Sequence, residues 1–194
     1  MSQAELGVFM GEAGWTAVDD ERDLIERAKT DREAFAVLYR RHCHPVFAYV
    51  YRRTGERHAT EDVVSDVFLT ALRTLSRYRY RGVPLRYWLL RIATNAVNRW
   101  ARRQRRRATE SLAATDLADA ASVRPSTDDE LDQEVARRAL LTLPPKYQTV
   151  LSLHYLEGLD LKAVATVIGC RVGTVKSRLA RAREALRDAL NRRR

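Results

Sequence analysis

Residues 159–186 read LDLKAVATVIGCRVGTVKSRLARAREAL. Asp160 precedes a short apolar-periodic run, Leu161 to Ile168, and its carboxylate suits a helix N-cap. Gly169 fits a left-handed turn position, and Gly169-Cys170-Arg171 makes a tight turn. A last helix then starts near Val172 and runs to about Leu190. Val164, Ala165 and Ile168 face inward from the first helix, Val175 and Leu179 from the second. Ala165 is small enough to let the two helices cross closely. The segment from Asp160 to Arg183 therefore predicts a helix-turn-helix. Outward positions of its second helix carry Thr174, Lys176, Ser177, Arg178, Arg181 and Arg183. From Arg171 to Arg194 there are nine basic residues and two acids, Glu184 and Asp188. A helix that enters the major groove needs this: polar and basic groups at base edges, arginines along flanking phosphates. The alternative is a solvated basic face on an ordinary helix pair. Turn chemistry, spacing and local charge together favour DNA.

Working upstream, Pro145 opens a helix expected to run to Glu157 and to end at Gly158. Leu140, Leu141 and Leu143 close another before the Pro144-Pro145 pair. Residues 108–134 hold eight acids and one base, with few large apolar side chains, and read as a linker without a core of its own. Residues 99–107 contain six arginines and no acid. Before them, Leu85, Trp88, Leu89, Ile92, Ala96 and Trp100 mark a helix to about Arg106, with Pro84 in its first turn. Val63, Val64, Val67, Phe68, Ala71, Leu72 and Leu75 form one broad apolar stripe. Asp31 to Arg53 is helical with a kink or split expected at Pro45. A short helix is expected from Asp20 to Lys29. Strand signals are nearly absent. The fold class is all-α: two small helical domains joined by a flexible linker, the C-terminal one a helix-turn-helix. The expected division is a mobile N-terminal arm (1–19), a first domain (20–107), an acidic linker (108–131) and a second domain (132–194).

The chain has 194 residues, 35 basic against 25 acidic, for a formal net charge of +10. Only four of the basic residues are lysines. The excess favours a polyanion partner over an acidic or neutral binder, although coding bias toward arginine explains much of it. Cys43 and Cys170 are too few for a disulfide framework or a four-Cys zinc site. His42 and His44 sit two apart on a helix and point away from each other, so no metal site is expected. No Ser/His/Asp arrangement, Gly-rich phosphate loop or carboxylate pair stands out, so neither a cofactor nor an enzyme is expected. The apolar runs are too short for a membrane span, and the N-terminus lacks a signal pattern. The expectation is a cytoplasmic protein with no membrane contact of its own.

GTVKSRLARAREAL and the preceding LPPKYQTVLSLHYLEG resemble the promoter-reading C-terminal domain of bacterial sigma factors. FAVLYRRH, TEDVVSDVFLTAL and LRYWLLRIATNAVNRWARR resemble the core-binding and promoter-melting domain of the same family, in the family's order. The chain is most similar to group IV, the extracytoplasmic-function (ECF) class of the sigma-70 family. The resemblance covers residues 20–106 and 132–190. It assigns region 2 to the first domain and region 4 to the second.

The resemblance implies three sites. Glu61, Asp62, Ser65, Asp66 and Leu69 would dock on the clamp helices of the polymerase β′ subunit, and region 4 on the β flap. Exposed acids beside apolar residues suit a basic, partly apolar groove. The same acids also favour a helix N-terminus. Tyr78, Arg79, Tyr80, Arg81, Asn95, Asn98, Arg99, Arg102 and Arg103 would engage the minus-ten element, where melted bases are captured by stacking and by amide hydrogen bonds. Trp88 and Trp100 read as core. Arg171, Thr174, Lys176, Ser177, Arg178 and Arg181 would engage the minus-thirty-five element, with Lys176, Ser177 and Arg181 near bases. Ser65 stands where the family usually has glutamine, and Val83-Pro84-Leu85 replaces a more polar stretch. The implied partners are core RNA polymerase, promoter DNA and an anti-sigma factor. The competing reading is a stand-alone helix-turn-helix regulator; an interaction protein with an incidental basic tail is a third.

Overall fold

The computed structural model describes residues 18–112 and 128–192. The expected arm and acidic linker fall largely outside the described residues. Every regular element among the described residues is helical.

The first half contains α1 (Val18–Ala28), α2 (Arg32–Thr54), α3 (Arg57–Thr74) and α4 (Leu85–Leu112). Asp31 caps α2, its carboxylate accepting from the Glu33 amide at 2.8 Å. Gly55 ends α2 at φ +72°, a conformation open to glycine without a Cβ penalty. α2 is continuous through Pro45, where the sequence predicts a kink or split. An interior proline costs about 3 kcal/mol in a helix. Here Leu38 and His42 before it, and Val46, Tyr49 and Val50 after it, bury into one core, and that shared packing offsets the lost hydrogen bond. Pro84 sits just outside α4 rather than in its first turn, its carbonyl accepting from Tyr87. α4 also passes its expected end near Arg106, because residues 101–112 contain no glycine or proline and are rich in strong helix formers.

The second half contains α5 (Asp128–Thr142), α6 (Pro145–Leu151), α7 (Leu161–Ile168) and α8 (Val172–Asn191). The single helix expected from Pro145 to Glu157 changes character midway. Ser152–Leu156 form a π-turn, closed by the Glu157 amide on the Ser152 carbonyl at 3.0 Å. Such a widened turn redirects the residues after it. The Asp160 cap is present, accepting from the Ala163 amide at 2.7 Å. Gly169 takes φ +76° and makes the tight turn between α7 and α8.

The two halves touch. Their buried side chains form one continuous cluster, running from Ile25, Val67 and Leu89 in the first half to Val150, Val164 and Val175 in the second. α4 lies against α6 and α7, and α2 against α5 and the π-turn. Among the described residues no helix is long and apolar enough to cross a membrane.

Candidate nucleic-acid interface

α8 buries Val175, Leu179 and Ala182 and turns its other face outward. Arg171, Lys176, Ser177 and Arg181 are exposed; Thr174 and Arg178 are half-buried. The Ser177 hydroxyl donates to the Thr174 carbonyl at 3.1 Å. All six expected residues therefore lie outside the buried row: Arg171, Thr174, Ser177, Arg178 and Arg181 share one face, and Lys176, two residues from Thr174, lies on the other flank. The three- and four-residue spacing of Val175, Leu179 and Ala182 gathers the apolar side chains in one row and leaves the remaining positions outward.

The second basic surface is assembled from several elements. After a 3₁₀ turn, Leu75–Arg77, the chain extends through Tyr78. The Tyr78 ring packs on Trp88 of α4, centroids 4.8 Å apart and tilted by 44°. Burial pushes the Tyr78 hydroxyl up to about 12, so it stays protonated, with a long 3.5 Å contact to the Val83 carbonyl. Thr74, Arg77, Tyr78, Arg79, Arg81 and Trp88 line an open cleft of about 480 Å³. An aromatic floor walled by guanidinium groups can stack an unpaired base while holding its phosphates. Tyr80 is half-buried against the core and outside this lining. Trp88, expected as core, is only half-buried and also lines the cleft. Trp100 is likewise half-buried against the core.

Along α4, Asn95, Arg99, Arg102 and Arg103 are exposed at helical spacing. Asn98 departs from them. It is half-buried, and its Oδ1 accepts from Arg53 Nη2 at 2.9 Å. Arg53 is 2 % exposed. It also donates to the Tyr49 hydroxyl at 3.2 Å and to Gln148 Oε1 at 3.3 Å. Tyr49 in turn shares a 2.7 Å hydrogen bond with Thr94. Asn98 thus belongs to a buried polar network joining α2, α4 and α6.

Glu61, Asp62, Ser65, Asp66 and Leu69 are all exposed on α3. Glu61 pairs with Arg57 at 2.9 Å, a contact worth little at such exposure. Beside these residues lies an apolar groove of about 350 Å³. Its second wall is a row on α2, Phe35, Tyr39, Cys43 and Phe47, of which the sequence marks Phe35, Tyr39 and Phe47 only as apolar residues at helical spacing and none as a site residue. The signal was their four-residue spacing. Leu72, grouped with the apolar core stripe, is instead 47 % exposed on this rim, and Tyr39 is 42 % exposed.

These surfaces coincide with recognisable family segments. The family model "Sigma-70 region 2" matches residues 38–107, and "Sigma-70, region 4" matches residues 133–186. The RNA polymerase sigma-H factor of Pseudomonas aeruginosa is 34 % identical over 185 residues, covering 89 % of this chain and 94 % of that protein. The ECF RNA polymerase sigma-E factor of Escherichia coli is 33 % identical over 175 residues, covering 84 % and 90 %. The ECF RNA polymerase sigma factor BldN of Streptomyces coelicolor is 32 % identical over 160 residues; the match covers 80 % of this chain but only 60 % of BldN. Among solved structures, CnrH in complex with the cytosolic domain of CnrY superposes with a TM-score of 0.65 at 25 % identity, covering 88 % of this chain and 97 % of that one.

Proposed function

Because the chain belongs to the ECF sigma factors of the sigma-70 family, we propose that it binds core RNA polymerase, directs it to specific promoters and helps open the DNA there. The reading is carried by one observation: region 2 and region 4 segments occur in that order on a single chain. The polymerase supplies the chemistry, and the chain exchanges binding energy for promoter opening.

In this reading residues 20–107 act as region 2 and residues 132–194 as region 4. The α3 rim, with Glu61, Asp62, Ser65, Asp66 and Leu69, docks on the β′ clamp helices, and the α2 row completes the apolar floor. The Tyr78–Arg81 segment and the exposed α4 residues Asn95, Arg99, Arg102 and Arg103 hold the minus-ten region. Asn98 contributes there once its bond to Arg53 is relinquished or reoriented. Lys176, Ser177 and Arg181 read minus-thirty-five bases, with Arg171, Thr174 and Arg178 at phosphates. An anti-sigma factor would act by covering these faces; the Bartonella quintana RpoE structure holds such a partner, NepR, and the CnrH structure holds the cytosolic domain of CnrY.

Reconstitution tests the reading. The chain is mixed with core polymerase and promoter DNA bearing both elements, and transcripts are mapped. Transcription from a defined start that requires the added chain is expected. Failure to associate with core polymerase would overturn it, and DNA binding without such association would favour a stand-alone regulator.

A further inference from the structure

α1 precedes the residues that the region 2 model matches, yet one of its side chains reaches into that region. Leu24, Ile25 and Ala28 bury in the core and fix α1 there. One turn earlier, Glu21 is 13 % exposed. Its Oε2 accepts from the backbone amide of Leu85, 64 residues away in the chain, at 3.2 Å. Leu85 is the first residue of α4.

The start of α4 lacks a cap of its own. Its opening amides have no carbonyl one turn earlier to bond. Pro84, directly before the helix, has no side-chain acceptor, and the first turn contains no acid. The Pro84 carbonyl serves Tyr87 at 3.0 Å. α2 and α7, by contrast, carry their own caps, Asp31 and Asp160. Glu21 therefore does for α4, from another helix, what an adjacent Asp does for α2 and α7. Its charge also lies at the positive end of a 28-residue helix. Burial raises the Glu21 carboxyl, while the Leu85 amide and the Arg41 guanidinium oppose that rise and favour the charged form. His42 Nε2 lies 3.8 Å from the other carboxylate oxygen.

The same carboxylate sits behind the aromatic cleft without lining it. Its charge reaches Tyr78, where it is second to burial in raising the hydroxyl. Trp88, on which Tyr78 packs, follows Leu85 by three residues and shares its edge of the helix. Glu21 thus bonds the turn that carries one ring of the cleft and acts electrostatically on the other ring.

We propose that Glu21 is a positioning residue for the minus-ten cleft: by capping α4 from α1, it holds Trp88 and the Tyr78–Pro84 connection in the geometry that receives an unpaired base. The assignment of the cleft to DNA rests on the promoter reading above; the cap itself does not. The test uses the full chain bound to core polymerase, with a fluorescent oligonucleotide carrying the mapped minus-ten element as a single strand. Glu21→Ala should weaken strand binding by roughly fivefold, with association to core polymerase unchanged. Glu21→Gln keeps an acceptor oxygen and should lose less. Pro84→Asp places a cap directly before the helix. Added to Glu21→Ala, it should return the affinity to within about twofold of wild type, a rescue that a packing role for α1 would not produce. Hydrogen exchange of the Leu85–Tyr87 amides, on the chain alone, follows the cap itself: faster in Glu21→Ala and slowed again by Pro84→Asp. Wild-type strand affinity in a folded Glu21→Ala chain overturns the proposal. So does a double variant that regains amide protection without affinity. A wild-type complex that ignores the strand overturns the promoter reading instead, while the exchange data still judge the cap.

Discussion

α8 and α4 both present basic faces, yet they are built differently. The α8 face follows from one helix: a buried row of Val175, Leu179 and Ala182 leaves the remaining positions to solvent. The α4 face is shared with the core. Asn98 turns inward to Arg53, Trp88 floors a cleft with Tyr78, and Arg91 is committed to α7. A surface made by one helix tolerates substitution with little structural cost. A surface woven into a polar network does not, so under the proposed function stability and recognition would be coupled at α4 and separable at α8.

The sharpest test of that contrast is Arg53→Ala. It empties a buried volume and leaves the Tyr49 hydroxyl, Asn98 Oδ1 and Gln148 Oε1 short of a donor. A loss of about 3 kcal/mol or more in urea unfolding is expected. Arg181→Ala on α8 should change stability by less than about 0.5 kcal/mol. Equal losses would dissolve the comparison.

Next in size is a pH effect centred on His42 of the first half. Burial, helped by Arg41 and Arg86, holds the His42 imidazole down at about 4. Glu21, with Oε1 3.8 Å from Nε2, opposes this. Between about pH 4 and pH 6.5 the unfolded chain binds a proton that the folded chain refuses. The full contribution is present above pH 6.5 and is lost as pH falls toward 4, by up to about 3 kcal/mol. The buried carboxyls of Glu21 and Glu157 are raised and move the opposite way. Comparison with His42→Gln isolates the histidine: the variant's stability should fall less steeply over this range.

At α8 the effect should appear in binding instead. Arg181→Ala is expected to weaken promoter binding by about 1–3 kcal/mol and relax preference at one base position. A uniform loss with a smaller salt slope would move Arg181 to the phosphate set. The smallest effect is expected at Asp160→Ala. Removing the cap on the Ala163 amide should cost about 1 kcal/mol, read as a lower melting temperature with α8 selectivity retained.

The apolar groove between α2 and α3 shows why some of its lining residues escaped the sequence. Phe35, Tyr39, Cys43 and Phe47 are apolar at helical spacing, as core residues are, and periodicity cannot say whether an apolar row meets a neighbour or solvent. Leu72 misled for the same reason. Its stripe on α3 is wider than the surface available to bury it, and its outer edge remains exposed.

Sequence alone determined what short-range physics controls: the helices, the Asp160 and Asp31 caps, the Gly55 and Gly169 stops, and the outward face of α8. These depend on propensity, spacing and backbone stereochemistry within a few residues. Tertiary structure decided what depends on partners distant in the chain. It kept α2 continuous across Pro45, turned Asn98 inward and opened a cleft on Trp88. It also set Glu157 between Arg52 and Arg86 and placed Arg91 on the end of α7. A guanidinium carries no mark of its partner in the sequence; its bonds are fixed only when packing brings acceptors more than seventy residues away within reach.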